Sequence, residues 1–285
     1  MSTERASRHS KLEQEIRSIL SPLMEMDTSP DGKAHRDTAR WVADHLSKLG
    51  FTAALKGDSA TPLIVAHRPA TQASRGHIVM FGHYDVDHIE PGWTTEPLRL
   101  VEIDRRWYGL GVADNKGALA SRLVSMRYVT EAPAITWIIQ GEEESGSGVL
   151  REWIRTSGLP QADWYLEENG WSRPDGVQRV LACQPTVDGC RPLDSGIEDR
   201  LVASLAAGWP QREIEARFMN KHFVPGGCAF QTAIPHGGRY LGIGTNDGLT
   251  RIHAPNESIP IDGAVLHAVS LADFTAAVAR GSIHP

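Results

Sequence analysis

With 285 residues, 29 lysines and arginines against 35 aspartates and glutamates, and a formal net charge of −6 at pH 7, the chain lacks the basic excess that would favour nucleic acid or an anionic membrane surface. It is long enough for one large or two modest domains. Its N-terminal stretch MSTERASRHSKLEQEIRS has no apolar h-region and no window nears about 18 uninterrupted apolar residues, so the expectation is a cytoplasmic chain with neither signal peptide nor membrane span.

Residues 1–10 are polar and basic and read as a disordered tail, leaving 11–285 as one domain. KLEQEIRSILSPLMEM (11–26) has helical apolar spacing at Leu12, Ile16, Ile19, Leu20 and Leu23, with Pro22 as a candidate stop or kink. A turn cluster, TSPDGK (28–33), leads to an amphipathic helix over 34–50 that Gly50 ends. From there short β-like runs alternate with helical ones. The spacing predicts strands at 51–55, 62–67, 77–81, 134–139, 163–166, 178–183 and 239–244, and helices at 115–129, 146–157, 212–221 and 264–280. Such alternation implies an α/β fold, a three-layer sandwich whose mostly parallel sheet is covered on both faces. Three cysteines, Cys183, Cys190 and Cys228, lack CxxC spacing and read as reduced packing residues rather than ligands.

In such sheets ligands gather at the carboxyl ends of strands, and five acidic or histidine motifs fall where strands should end or helices begin. GHYDVDH (82–88) follows the run HIVMF and offers His83 as a metal ligand with Asp85 to orient its ring, since ligating imidazoles give their second N–H to a carboxylate or carbonyl; a solvated loop is the plainer reading. WYGLGVADNKG (107–117) places Asp114 before a helix, where aspartate is also a common N-cap. GEEESGS (141–147) sets three carboxylates in a row, which repel unless a cation or proton compensates them. EENGW (167–171) offers Glu168, with Glu167 as a competitor, and RIHAPNES (251–258) supplies His253. His83, Asp114, Glu144, Glu168 and His253 together contain only nitrogen and carboxylate donors, the mixture that suits a zinc pair.

The blocks GHYDV, YGLGVADNKG, GEEESGS and HAPNE, in this order, resemble the signature blocks of the dinuclear zinc amidohydrolases, a family that includes acetylornithine deacetylase, succinyl-diaminopimelate desuccinylase, carnosinase, aminoacylase and bacterial glutamate carboxypeptidases. The resemblance spreads over residues 35–280. It implies two zinc ions per chain, with Co2+ or Mn2+ as substitutes. It makes His83 and Glu168 ligands of the first ion, Glu144 and His253 ligands of the second, and Asp114 the bridge between them. Asp85 would then orient His83. The family's Glu-Glu pair before x-Gly-Ser aligns Glu143 with the general base and Glu144 with the ligand. The implied reaction is hydrolysis of an amide or peptide bond in a small substrate, free or tethered to a carrier. No GxGxxG after a strand and no GxSxG is present to support hydride transfer or serine chemistry.

The chain departs from that family between its last two motifs. Relatives insert a lid and dimerisation domain there, whereas residues 169–252, 84 in all, must also complete the catalytic sheet. A single domain without an inserted lid is therefore expected, as a monomer or a dimer formed through another surface. The family's lid histidine has no match in VPGGC (224–228) or PHGGRY (235–240); His222 and His236 read first as exposed loop histidines, with a substitute role as the second reading. A metal-binding accessory protein that does not cleave peptides is the alternative to an enzyme.

Overall fold

The computed structural model describes residues 3–57, 60–71, 76–187, 189–207, 214–217 and 228–283. Its helices are α1 (Thr3–Glu25), α2 (His35–Lys48), α3 (Gly117–Ser125), α4 (Gly148–Ser157), α5 (Ser195–Ala206), α6 (Ala229–Thr232) and α7 (Ile261–Ala279). The first seven strands are β1 (Thr52–Lys56), β2 (Leu63–Arg68), β3 (His77–His83), β4 (Val101–Ile103), β5 (Arg106–Tyr108), β6 (Ala134–Gln140) and β7 (Trp164–Glu167). Beyond the second acidic motif follow β8 (Gly170–Ser172), β9 (Gln178–Thr186), β10 (Gly189–Arg191), β11 (Ile214–Arg217), β12 (Arg239–Gly242), β13 (Asn246–Asp247) and β14 (Ser258–Pro260).

The large sheet runs β1-β2-β6-β3-β7-β12-β9-β8-β13, with β10 and β11 paired to β9. Its centre, β6-β3-β7-β12, is parallel, and antiparallel pairs flank it on both sides. Strand alternation sends side chains to opposite faces. Ile78, Met80, Trp137, Trp164 and Leu166 enter one core with Leu20 of α1, Val42 of α2, Leu123 of α3 and Phe274 of α7. Val79, Phe81, Ile138 and Tyr165 enter a second core with Leu150 of α4 and Phe230 of α6. These two cores are the interfaces of a three-layer α/β sandwich, and they explain why β3 and β6 are apolar at nearly every position. A second sheet, β14-β5-β4, stands beside the first. Arg106 of β5 clamps Asp247 of β13 in a bidentate ion pair at 2.6 and 3.0 Å, joining the two sheets.

Two expectations are corrected. The tail is helical from Thr3 onward, because its polar residues find distant partners: His9 lies 3.2 Å from Asp262, and Glu13 takes both guanidinium nitrogens of Arg105 at 2.8 Å. Pro22 lies within α1 without ending it. The helix expected over 212–221 contains a strand instead, Ile214–Arg217, paired in parallel with β9. REIEAR carries a period-two pattern as readily as a helical one, and Glu215 meets Arg179 of the neighbouring strand at 2.9 Å. The rest of that stretch, with His222, lies outside the described residues. Helix α7 is long and apolar enough by composition to cross a membrane, yet 72% of that window is buried against the fold. Among the described residues, every strand between Glu168 and His253 joins the large sheet.

Candidate metal centre

The parallel register aligns three strand ends. His83, the last residue of β3, pairs with Gln140 at the end of β6, and β7 ends one strand away at Glu167. His83 is buried; its Nδ1 lies 3.1 Å from the backbone oxygen of Asp85 and 3.4 Å from its carboxylate, while Nε2 lies 2.9 Å from Asp114 Oδ1. The carbonyl of Asp85 is thus the closer partner of the ring, and its carboxylate Oδ2 accepts the backbone N–H of Glu144 at 3.0 Å. Asp85 therefore ties the histidine loop to the acidic loop.

Asp114 is not a helix cap. It sits in an irregular turn, Val112–Lys116, before α3, with non-helical backbone angles and a cis peptide to Asn115. Gly111 opens this turn at φ 78°, where a side chain would be strained and would collide with Val86. The turn is held from behind by Glu257, whose buried carboxylate accepts the N–H groups of Gly111, Ala113 and Asp114 at 2.8, 2.7 and 3.0 Å. Burial pushes Glu257 up to about 8 against those three donors, which favour its anion. The sequence reading gave Glu257 no role, although it stands in the phrase that supplies His253. Leaving buried donors unsatisfied costs about 1–3 kcal/mol each, so Glu257→Ala is expected to lower stability by about 2–4 kcal/mol after partial rescue by water. The urea midpoint should fall, with Glu257→Gln in between; an unchanged midpoint would refute the role.

The three successive glutamates diverge. Glu142 accepts the N–H of Val149 at the start of α4 and the hydroxyl of Thr61 at 3.3 Å, a structural task. Glu143 lines the cavity beside His83 and Asp114. Glu144 faces His253, whose Nε2 lies 3.0 Å from Oε2 and 3.6 Å from Asp114 Oδ2. His253 itself is held at φ 57° and half exposed, with Asp87 3.9 Å from Nδ1.

The pair Glu167 and Glu168 separates by strand alternation. Tyr165 belongs to the second core, and Glu167 follows it to the same face, where it accepts Tyr240 Oη at 2.6 Å, Asn169 Nδ2 at 2.8 Å and the amide nitrogen of Gln231. Glu168 turns the other way. Its Oε1 lies 3.9 Å from His83 Nε2, and its buried Oε2 has no hydrogen-bond partner, with the Arg122 guanidinium 4.0 Å off. Arg122 is fully buried and donates to the Phe81 carbonyl at 2.6 Å, a charged residue inside an otherwise apolar helix face that the sequence reading passed over. His236 stands in the turn before β12, beside the starts of the parallel strands, so the sheet holds it on the edge opposite His83.

Asp114 presents one oxygen to each histidine, which divides the donors into His83, Asp114 and Glu168 on one side and Asp114, Glu144 and His253 on the other. Donor separations of 2.9 to 3.9 Å bracket the roughly 3.3 Å edge of a tetrahedron around zinc. Donor atoms of His83, Asp114 and Glu144 lie within 4.8 Å of one another. Burial opposes a charge on His83, but its bonds to Asp114 and Asp85 hold its pKa well above the usual histidine range, and Asp114 raises His253 to about 9. Burial pushes Glu168 up to about 8 and Glu144 up to about 7. The residues fit a metal site: nitrogen and carboxylate donors converge, and a buried carboxylate oxygen of Glu168 beside them has no hydrogen-bond partner.

Comparison with known proteins agrees with this geometry. Peptidase family M20/M25/M40 matches residues 79–276. The chain is 33% identical over 141 residues to the cysteinylglycine-S-conjugate dipeptidase of Corynebacterium striatum, which covers 47% of this chain and 30% of that protein. It is 33% identical over 130 residues to the Beta-Ala-His dipeptidase of Homo sapiens, covering 40% and 26%. Over 115 residues it is 34% identical to the succinyl-diaminopimelate desuccinylase of Colwellia psychrerythraea, covering 36% and 28%. The matches thus span less than a third of each of these relatives. Human carnosine dipeptidase 1 superposes with a TM-score of 0.71 at 12% identity over 97% of this chain and 99% of that one. The M20 family metallo-carboxypeptidase of Sulfolobus solfataricus gives 0.70 at 14% over 92% and 99%, and at these identities the likeness is one of fold. With the family matched across most of its length and its motifs meeting at one sheet edge, the chain is a member of peptidase family M20/M25/M40.

Proposed function

We propose that this protein is a di-zinc hydrolase of amide or peptide bonds in small substrates. The observation that carries the reading is the placement of Asp114, whose two carboxylate oxygens face His83 and His253 separately. His83, Asp114 and Glu168 would hold one zinc, and Asp114, Glu144 and His253 the other, with Co2+ or Mn2+ able to substitute. When bound, the metal pair would supply Lewis acidity, making a water acidic near neutrality and polarising the scissile carbonyl.

The protein's own groups do the rest. Asp85 fixes the His83 ring so that Nε2 faces the site. Glu143 takes a proton from the attacking water and returns it to the departing nitrogen, so that the C–N bond breaks as a C–O bond forms and the amine leaves neutral. Burial and the nearby Asp114 and Asp85 carboxylates raise the Glu143 pKa, although His83 opposes them, and a raised pKa favours the return step. An accessory role without hydrolysis would leave Glu143 in the cavity with no task. The relatives bear the names of dipeptidases and a desuccinylase, so both a dipeptide and an N-acyl amine are within the proposed class.

The test is metal analysis of purified protein together with a screen of dipeptides and N-acyl amino acids. About two metal ions per chain with turnover is the expected result; one ion or none, or two without hydrolysis of any amide, would overturn it. We further infer one catalytic domain with no inserted lid, since the described strands between Glu168 and His253 all return to the large sheet. Light scattering should then give the monomer mass of 31.2 kDa, or a dimer that forms through the catalytic domain.

A further inference from the structure

The cavity at the metal centre, about 190 Å³ in volume, has a second set of polar groups that the metals do not use. Gln231 lines it from α6 and is 2% exposed. Its Nε2 donates to Glu167 and, at 3.0 Å, to Tyr240 Oη, so the amide orientation is fixed by the carboxylate it serves. Its Oε1 is buried and has no hydrogen-bond partner. Asn246, at the start of β13, lines the same cavity, and its Oδ1 is buried without a partner too. Glu167 also lines it. While Oε2 is crowded by donors, Oε1 accepts only the weak thiol of Cys228 at 3.5 Å.

The side chains that line this small cavity therefore include three with an acceptor of spare capacity, and one of them is a carboxylate. An unsatisfied buried acceptor costs about 1–3 kcal/mol, which a donor brought by a ligand would recover. A hydroxyl brings one donor and a neutral amide at most two. A primary ammonium brings three and a positive charge, matching both the count and the sign. We propose that Glu167, Gln231 and Asn246 form a subsite for the free primary amine of the substrate, so that the preferred substrates are unblocked dipeptides and not N-acyl amino acids. The inference rests on the metal-centre reading for where cleavage occurs, but the amine subsite is a property of these three residues.

The test uses an isosteric pair, glycyl-alanine and propionyl-alanine, which differ by an ammonium in place of a methyl group at the same position. On zinc-loaded protein, glycyl-alanine should have a kcat/KM at least about 100-fold higher, the scale at which a polar site rejects an analogue that leaves its groups unpaired. Asn246→Leu should cut that ratio by about tenfold or more, chiefly through KM, and Asn246→Asp should widen it. Equal rates on the two compounds, or a ratio unmoved by both variants, would overturn the subsite while leaving amide hydrolysis standing. If neither compound is cleaved, calorimetry with glycinamide decides: saturable binding that Asn246→Leu abolishes supports the subsite although the hydrolase reading has failed, and no binding overturns it.

Discussion

Asp114→Ala is expected to yield a folded chain that retains neither metal and has no measurable hydrolase activity. The reason is the division of donors around that residue. Without it, His83 and Glu168 remain on one side and Glu144 and His253 on the other, two protein ligands each where zinc sites ordinarily have three or four. The fold should survive, because Glu257 holds the turn through backbone N–H groups and not through the Asp114 side chain. Asp114→Asn keeps the shape but exchanges one acceptor for a donor, so it should fail to bridge as well. By contrast, Asp85→Ala acts from behind a ligand and should weaken metal affinity by about 10–100-fold. Dialysed protein and elemental analysis separate these outcomes. Two metals and full turnover in Asp114→Ala would mean that the centre has been placed on the wrong carboxylate.

The parts of this centre differ in how far the sequence reveals them. HIVMF and AITWII are apolar runs of strand length, and a cluster of ionisable residues after each of them marks a strand end, so the place of His83 and of the GEEESGS loop in the sheet is legible from local pattern, whereas a metal-binding role for them came only with the family resemblance. Glu168 against Glu167 is different. Alternation says that the two point to opposite faces, but which face carries Arg122 and which carries Gln231 and Tyr240 depends on helices and a strand brought from elsewhere in the chain. Glu257 is hidden for a similar reason: its partners are three N–H groups of a turn more than 140 residues earlier, and backbone groups leave no mark in sequence. Long-range ion pairs also misled the reading at the N-terminus, where Glu13 and His9 stabilise a helix through Arg105 and Asp262. At Ile214–Arg217 the period was ambiguous and the neighbouring strand decided it.

The second large effect separates Glu143 from Glu144, adjacent residues with opposite expected phenotypes. Glu144 faces His253 at 3.0 Å and belongs to the donor set, so Glu144→Gln, which removes an anionic oxygen, should lose metal from that side and activity with it. Glu143 lines the cavity and, in the proposed chemistry, only moves a proton. Glu143→Gln keeps the side chain's size and shape but cannot accept that proton, so metal content and stability should stay at the wild-type level while kcat falls by at least about 100-fold, with KM little changed. The split between metal content and kcat distinguishes this from general damage to the site. An exchange of the two phenotypes would shift the roles by one residue along GEEESGS. Retention of both metal and turnover in Glu143→Gln would leave the attacking water without a base among these carboxylates, and the hydrolytic mechanism would have to be abandoned even though the metal centre stood.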